Sequence, residues 1–115
     1  MGIKKSKYRN KKTSVDGITF DSKKEASRYW DLKLLEKCGK ISCLDLQPRY
    51  ELLPSIKWNG KMLRKRSYVA DFRYMEGWKI IVEDVKSKYT ACNPVYTLKR
   101  HMFLAKYTDI EFRET

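Results

Sequence analysis

The segment Lys79-Ile80-Ile81-Val82-Glu83-Asp84-Val85-Lys86 ends an apolar run with an acid and an amine two residues apart. In a strand, side chains at i and i+2 share a face, so Asp84 and Lys86 point one way and Ile81, Glu83 and Val85 the other. A second acid, Asp71 in Tyr68-Val69-Ala70-Asp71-Phe72, stands one short hairpin upstream. Two carboxylates on neighbouring strands suit Mg²⁺, which takes octahedral oxygen coordination and leaves positions open to water and a substrate phosphate. The chemistry this set predicts is phosphodiester hydrolysis. The metal polarises the phosphate and lowers the pKa of an attacking water. Lys86 orients that water or offsets charge in the transition state, and the Val85 carbonyl is a further candidate ligand.

Acid-any-Lys also occurs as Asp21-Ser22-Lys23 and Asp31-Leu32-Lys33. Those copies fall at a helix start and inside a helix, where i and i+2 do not face each other. Only Asp84-Val85-Lys86 follows an apolar strand with an acid on the strand before it. The bland alternative is a surface salt bridge between Asp84 and Lys86, with Asp71 solvated. Glu25 also reads two ways. In Ser22-Lys23-Lys24-Glu25 it is the N3 residue of a capping box, worth roughly 1 kcal/mol to the helix start. As a third acid it leans from the helix into the metal site. Glu83 is left out, because strand alternation aims it at the opposite face.

The elements that position these residues follow from local signals. Asp16-Gly17 makes a tight turn within Val15–Phe20. A helix runs from the Ser22 cap to near Cys38, with Gly39 at C′ and a face through Ala26, Tyr29, Trp30, Lys33/Leu34 and Lys37 that Leu32 and Leu35 widen. Ile41 to Leu53 reads as a strand or two, broken at Gln47-Pro48. Residues 54–61 read as a loop with an Asn59-Gly60 turn, 62–74 as one long strand, and 78–86 as the strand carrying Asp84. Asn93 caps a second helix with Pro94 at its first position, and its expected inner stripe is Val95, Leu98, Met102 and Ala105. Residues 110–112 close the chain as a short strand. The predicted fold is α/β, with one mixed sheet flanked by helices.

The chain has 115 residues with 26 Lys plus Arg against 14 Asp plus Glu, a net charge of +12. The length predicts one domain, 14–115, able to bury roughly 65% of its unfolded surface. The charge points to a polyanionic partner. Lys4, Lys5, Lys7, Arg9, Lys11 and Lys12 form a basic arm over residues 1–13, expected to lie along phosphates or else to be a solvated tail. Arg64, Lys65, Arg66, Lys99 and Arg100 are further candidate DNA contacts. Tyr68, Tyr74, Trp78, Tyr89 and Tyr96 could stack on bases, although core and cross-strand packing is the favoured reading. Cys38, Cys43 and Cys92 are odd in number without a Cys-x-x-Cys, and His101 is the single histidine. Those counts predict neither a disulfide framework nor a zinc site, and fit a reducing cytoplasm. Met1-Gly2-Ile3-Lys4-Lys5-Ser6 fits an N-myristoylation pattern. The rest of the chain gives that anchor no support, and no membrane partner is expected.

The Glu25 helix, Asp71 before a turn, Asp84-Val85-Lys86 and the helix bearing Lys99 together resemble the PD-(D/E)xK, restriction-endonuclease-like nuclease superfamily. Their order resembles its αβββαβ core. Phe20-Asp21-Ser22-Lys23-Lys24-Glu25, Gln47-Pro48 and Tyr68-Val69-Ala70-Asp71-Phe72 are similar to transposon-end endonuclease subunits. They are closer to short phage and prophage proteins described only as a domain of unknown function. Ala70 stands where the name-giving proline would be. The resemblance implies a metal-dependent DNA endonuclease with Glu25, Asp71, Asp84 and Lys86 in the catalytic positions and Mg²⁺, or Mn²⁺ as substitute, as cofactor. It also implies a phage-encoded role in recombination, replication or packaging, in the host cytoplasm. Junction resolvases share that fold and are usually dimeric, so branched DNA and a homodimer are among its implications. The competing reading is a non-catalytic nucleic-acid-binding accessory protein on a nuclease-like scaffold.

Overall fold

The computed structural model describes residues 13–115, so the candidate arm residues Lys4 to Lys12 lie outside the described residues. The chain begins with a hairpin of β1 (Thr13–Val15) and β2 (Ile18–Phe20), closed by Asp16 and Gly17 at φ +52° and +74°. Both turn positions need positive φ, which Asp and Gly tolerate. Helix α1 (Lys23–Lys37) follows. Ser22 Oγ accepts from the Glu25 N–H at 3.1 Å, and Gly39 ends the helix at φ +75°.

Four strands form the main sheet: β3 (Ser42–Leu46), β8 (Phe72–Glu76), β9 (Lys79–Asp84) and β10 (Ile110–Glu114). Between β3 and β8 lie β4 (Arg49–Leu53), β5 (Ile56–Trp58), β6 (Lys61–Leu63) and β7 (Arg66–Val69); helix α2 (Pro94–Lys106) joins β9 to β10. The sheet order is β10-β9-β8-β3, with β10 parallel to β9 and the other neighbours antiparallel. The fold is therefore α/β with a mixed sheet, and its helices and sheet strands run αβββαβ. The intervening strands form two separate ribbons, β4–β7 and β5–β6.

Two expectations are corrected in that insertion. The single strand expected over 62–74 is three strands, and the loop expected over 54–61 contains β5. The cause of the second break is a change of sheet. The Ala70 N–H still donates to Pro48 O at 3.1 Å, beside the β4 ribbon, whereas the Asp71 N–H donates to Glu83 O at 3.2 Å. The backbone therefore crosses between the two at Ala70–Asp71, and the crossing sets Asp71 at the end of the main sheet.

The helices sit on opposite faces, as β9 alternation requires. Ile81 packs with Ala26, Tyr29 and Leu32 of α1, while Val82 packs with Phe103 of α2. Helix α1 buries Ala26, Tyr29 and Leu32 of its expected face, but that face is narrower than expected, with Trp30 and Leu34 exposed. In α2, Val95, Leu98 and Ala105 are exposed, while Phe103 is fully buried among Tyr50, Tyr68 and Phe112. A Phe ring buries more area than Val or Ala, so the aromatic cluster sets the rotation. Tyr68 and Tyr74 are core residues, but Trp78 and Tyr89 are almost wholly exposed. No helix among the described residues is long and apolar enough to cross a membrane.

Candidate active site

Asp71 and Asp84 meet at the end of the β8–β9 hairpin. Phe72 pairs with Glu83, and one more step of that register sets Asp71 opposite Asp84. Residues directly opposite across an antiparallel pair share a face, so both carboxylates point to the same side. Asp84 is 1% exposed. Its Oδ2 accepts a short hydrogen bond from the Tyr68 hydroxyl. Its Oδ1 has no hydrogen-bond partner, although Lys86 Nζ lies 3.0 Å away as an ion pair without hydrogen-bond geometry. The Lys86 ammonium also sits 4.6 Å from the Tyr96 ring centroid. Asp71 Oδ2 accepts from the Val85 N–H at 2.7 Å.

Alternation at the strand end follows the sequence reading. Val85 packs with the α1-side core, and Glu83 turns the same way. Glu83 accepts two bonds from Arg28, at 2.5 and 2.9 Å, and one from the Tyr74 hydroxyl at 2.7 Å. This buried cluster fastens α1 to β9. It holds the first turn of the helix, and Glu25 with it, over the end of the sheet.

Of the expected capping box, only the bond from the Glu25 N–H to Ser22 Oγ is formed. The cap uses its N–H, while its side chain lines a cleft of about 160 Å³ with Asp71, Gln47, Phe20 and Leu46. Burial pushes the Glu25 carboxyl up, the charges of Asp21 and Asp84 push it further, and Lys86 opposes them. Burial, contact with the Asp84 carboxyl and its charge push Asp71 up to about 8, against the lowering effect of the Val85 N–H. Each of these acids thus feels its neighbours, as like charges confined at low dielectric must. Burial also raises the Tyr68 hydroxyl, reinforced by the Asp84 charge.

A second cleft, about 380 Å³, opens on the other side of the pair. It is lined by Asp84, Lys86, Lys99, Arg49, Tyr68 and Tyr96, among others. Lys99 thus joins the site, whereas Arg100 pairs with Glu114 at 2.9 Å. Arg64, Lys65 and Arg66 are exposed where β6 passes into β7.

Four site residues went unassigned in the sequence reading: Gln47, Arg49, Tyr68 and Tyr96. The break at Gln47-Pro48 was visible, but not its consequence. Gln47 sits at φ +50° and donates its N–H to Asp71 O at 3.0 Å. A non-glycine residue held in that region beside a charged cleft is stored strain of the kind found at functional sites.

The donor set is oxygen-only. Among the described residues, no three His, Cys, Asp or Glu side chains converge as a metal-binding group. Asp71 and Asp84 are the two candidate donors that the register brings together, and Glu25 lines the cleft beside Asp71. Two carboxylates suffice for Mg²⁺, and the buried Asp84 Oδ1, which makes no hydrogen bond, already faces one cation, Lys86 Nζ at 3.0 Å. The residues present fit a divalent metal.

Residues 5–114 match the model of a family described as "Protein of unknown function (DUF1064)". No curated protein and no solved structure gives a significant match to the chain.

Proposed function

We propose that this chain, which belongs to the DUF1064 family, is a metal-dependent DNA endonuclease that hydrolyses phosphodiester bonds through Asp71, Asp84 and Lys86. One observation carries the reading. Two neighbouring carboxylates, one of them 1% exposed, stand beside a lysine in a chain of net charge +12. Such a pair costs stability by mutual repulsion and repels phosphate unless a cation intervenes. The resemblance to PD-(D/E)xK nucleases, which assigns the same positions, supports it.

Asp71 and Asp84 would hold the metal, with the Val85 carbonyl as a further ligand. When bound there, Mg²⁺ or Mn²⁺ polarises the scissile phosphate and acidifies a coordinated water. The Tyr68 hydroxyl fixes the rotation of Asp84 by holding Oδ2, which leaves Oδ1 directed at the site. Lys86, steadied by the Tyr96 ring, offsets negative charge on the phosphoryl oxygens as the transition state forms. Glu25 lines the cleft on the Asp71 side and accepts a hydrogen bond from the attacking water. Lys99 and Arg49 hold a flanking phosphate in the second cleft.

The alternative is a DNA binder without catalysis, which the net charge of +12 would serve equally well. Incubation of the full chain with end-labelled duplex and four-way-junction DNA separates the two. The nuclease reading expects cleavage in Mg²⁺ or Mn²⁺ and none in EDTA. Tight binding without cleavage in either metal refutes it.

A further inference from the structure

Among the described residues the β5–β6 ribbon pairs with no other strand, and every one of its strand residues is exposed. Its exposed residues include large apolar ones: Ile56 at 52%, Trp58 at 59% and Met62 at 59%. An isolated two-stranded ribbon is marginal in water, and a cluster of exposed apolar side chains marks a surface that meets a partner.

The partner's chemistry follows from the charge. From Leu52 through Ala70 the chain holds Lys57, Lys61, Arg64, Lys65 and Arg66 and no acid at all. That surface fits a polyanion and would repel a second copy of itself. The geometry adds an aromatic to the charge. Asn59 and Gly60 form the turn at φ +49° and +71°, and Trp58 pairs with Lys61 across it. Cross-strand partners share a face. An exposed indole therefore stands at the tip beside an ammonium, with Ile56 and Leu63 behind it on the same face. A basic track with a free aromatic face suits a strand with unpaired bases, where the ring stacks on a base and the lysines follow the backbone. The ribbon springs from the candidate site. β7 carries Tyr68, and the seven residues from Tyr68 back to Lys61 span at most about 23 Å of extended chain.

We propose that the β5–β6 ribbon is a second DNA-contacting element, in which Trp58 stacks on an unpaired base while Lys61, Arg64 and Lys65 hold the phosphates of that strand. The substrate class this adds is DNA with an unpaired segment next to the duplex being cut. The inference rests on the reading of the chain as a DNA-acting protein, but not on cleavage.

The test is equilibrium binding of the full chain in EDTA to blunt duplex and to the same duplex with an unpaired thymidine tail. The wild type is expected to prefer the tailed DNA. Trp58→Ala should weaken tailed-DNA binding by about 5- to 150-fold, the loss for one stacked base, and leave the blunt duplex nearly unchanged. Trp58→Phe, which keeps a ring, should retain most of the preference, and it decides the matter if Trp58→Ala melts the ribbon. Equal binding of both DNAs by the wild type overturns the proposal, as does loss of the preference in Trp58→Phe. So does a wild-type dimer in sedimentation velocity that Trp58→Ala converts to monomer without altering DNA preference. Since metal is absent throughout, failure of the wild type to cut DNA in Mg²⁺ would remove the nuclease reading and leave this result standing.

Discussion

Asp71→Asn should make the metal-free protein more stable and, at the same time, insensitive to metal. The substitution keeps the shape of the side chain and an oxygen for the Val85 N–H, and it removes one of two crowded negative charges. An acid whose folded pKa lies above its unfolded value costs nothing below the unfolded value; the cost grows as pH rises toward the folded one. For Asp71 that window runs from its ordinary 3.8 up to about 8. At ~1.4 kcal/mol per pH unit, the full window sets an upper limit of about 6 kcal/mol. Asp71 is only partly buried and shares the interaction with Asp84, so the expected gain at alkaline pH is about 2 kcal/mol, or roughly 8 °C in Tm for a domain of this size. The assay is thermal unfolding by circular dichroism in EDTA near pH 4.5 and near pH 8.5, repeated with millimolar Mg²⁺. In EDTA the two proteins should melt together at the acid end and diverge at the alkaline end, with Asp71→Asn the higher. Added Mg²⁺ should raise the wild type alone, because a ligand that binds the native state stabilises it by mass action. A variant that melts lower than the wild type at both pH values, or one that Mg²⁺ stabilises equally, would refute the like-charge metal-pair account.

Glu25→Gln should hold or slightly raise Tm at alkaline pH, since the cap uses the backbone N–H and the substitution removes a carboxyl that burial and neighbouring acids push up, and should reduce metal-dependent cleavage by about 10- to 100-fold; undiminished cleavage would return Glu25 to a purely structural role. Arg28→Met leaves the Glu83 charge buried and unpaired, and should cost about 3–5 kcal/mol by denaturant unfolding; a loss under 1 kcal/mol would contradict the view that this cluster fastens α1 to β9. Removing residues 1–12 should weaken DNA binding and flatten its salt dependence by about one unit of slope per lost phosphate contact; an unchanged slope would show that the arm holds no phosphate.

The legible part of the site is the part governed by strand period. Asp84, Lys86 and Glu83 fall on their expected faces because alternation is a backbone property that one sequence displays. The caps at Ser22 and Asn93 and the turns at Asp16-Gly17 and Asn59-Gly60 are local for the same reason. Asp71 was found as an acid before a hairpin, but not the strand break that positions it. That break is a transfer from the β4–β7 ribbon to the main sheet, and it depends on Pro48 and Glu83, far away in sequence. The α1 face through Ala26, Tyr29 and Leu32 is as expected but excludes Trp30 and Leu34, while α2 is turned. Apolar spacing ranks Val95 and Leu98 as inner, whereas packing around Phe103 decides the rotation. Tyr68 belongs to the site through one hydroxyl contact with Asp84 across two sheets. Gln47 belongs to it through a left-handed backbone that its residue type does not announce.

The most direct test of the central claim compares wild type with Asp84→Asn on one labelled DNA, measuring binding in EDTA and cleavage in Mg²⁺ side by side. Asp84 is buried beside Lys86, so the amide variant keeps the volume and loses only the charge. The account predicts binding within a few-fold of the wild type and cleavage reduced by at least about 100-fold. Cleavage by Asp84→Asn at the wild-type rate would contradict it.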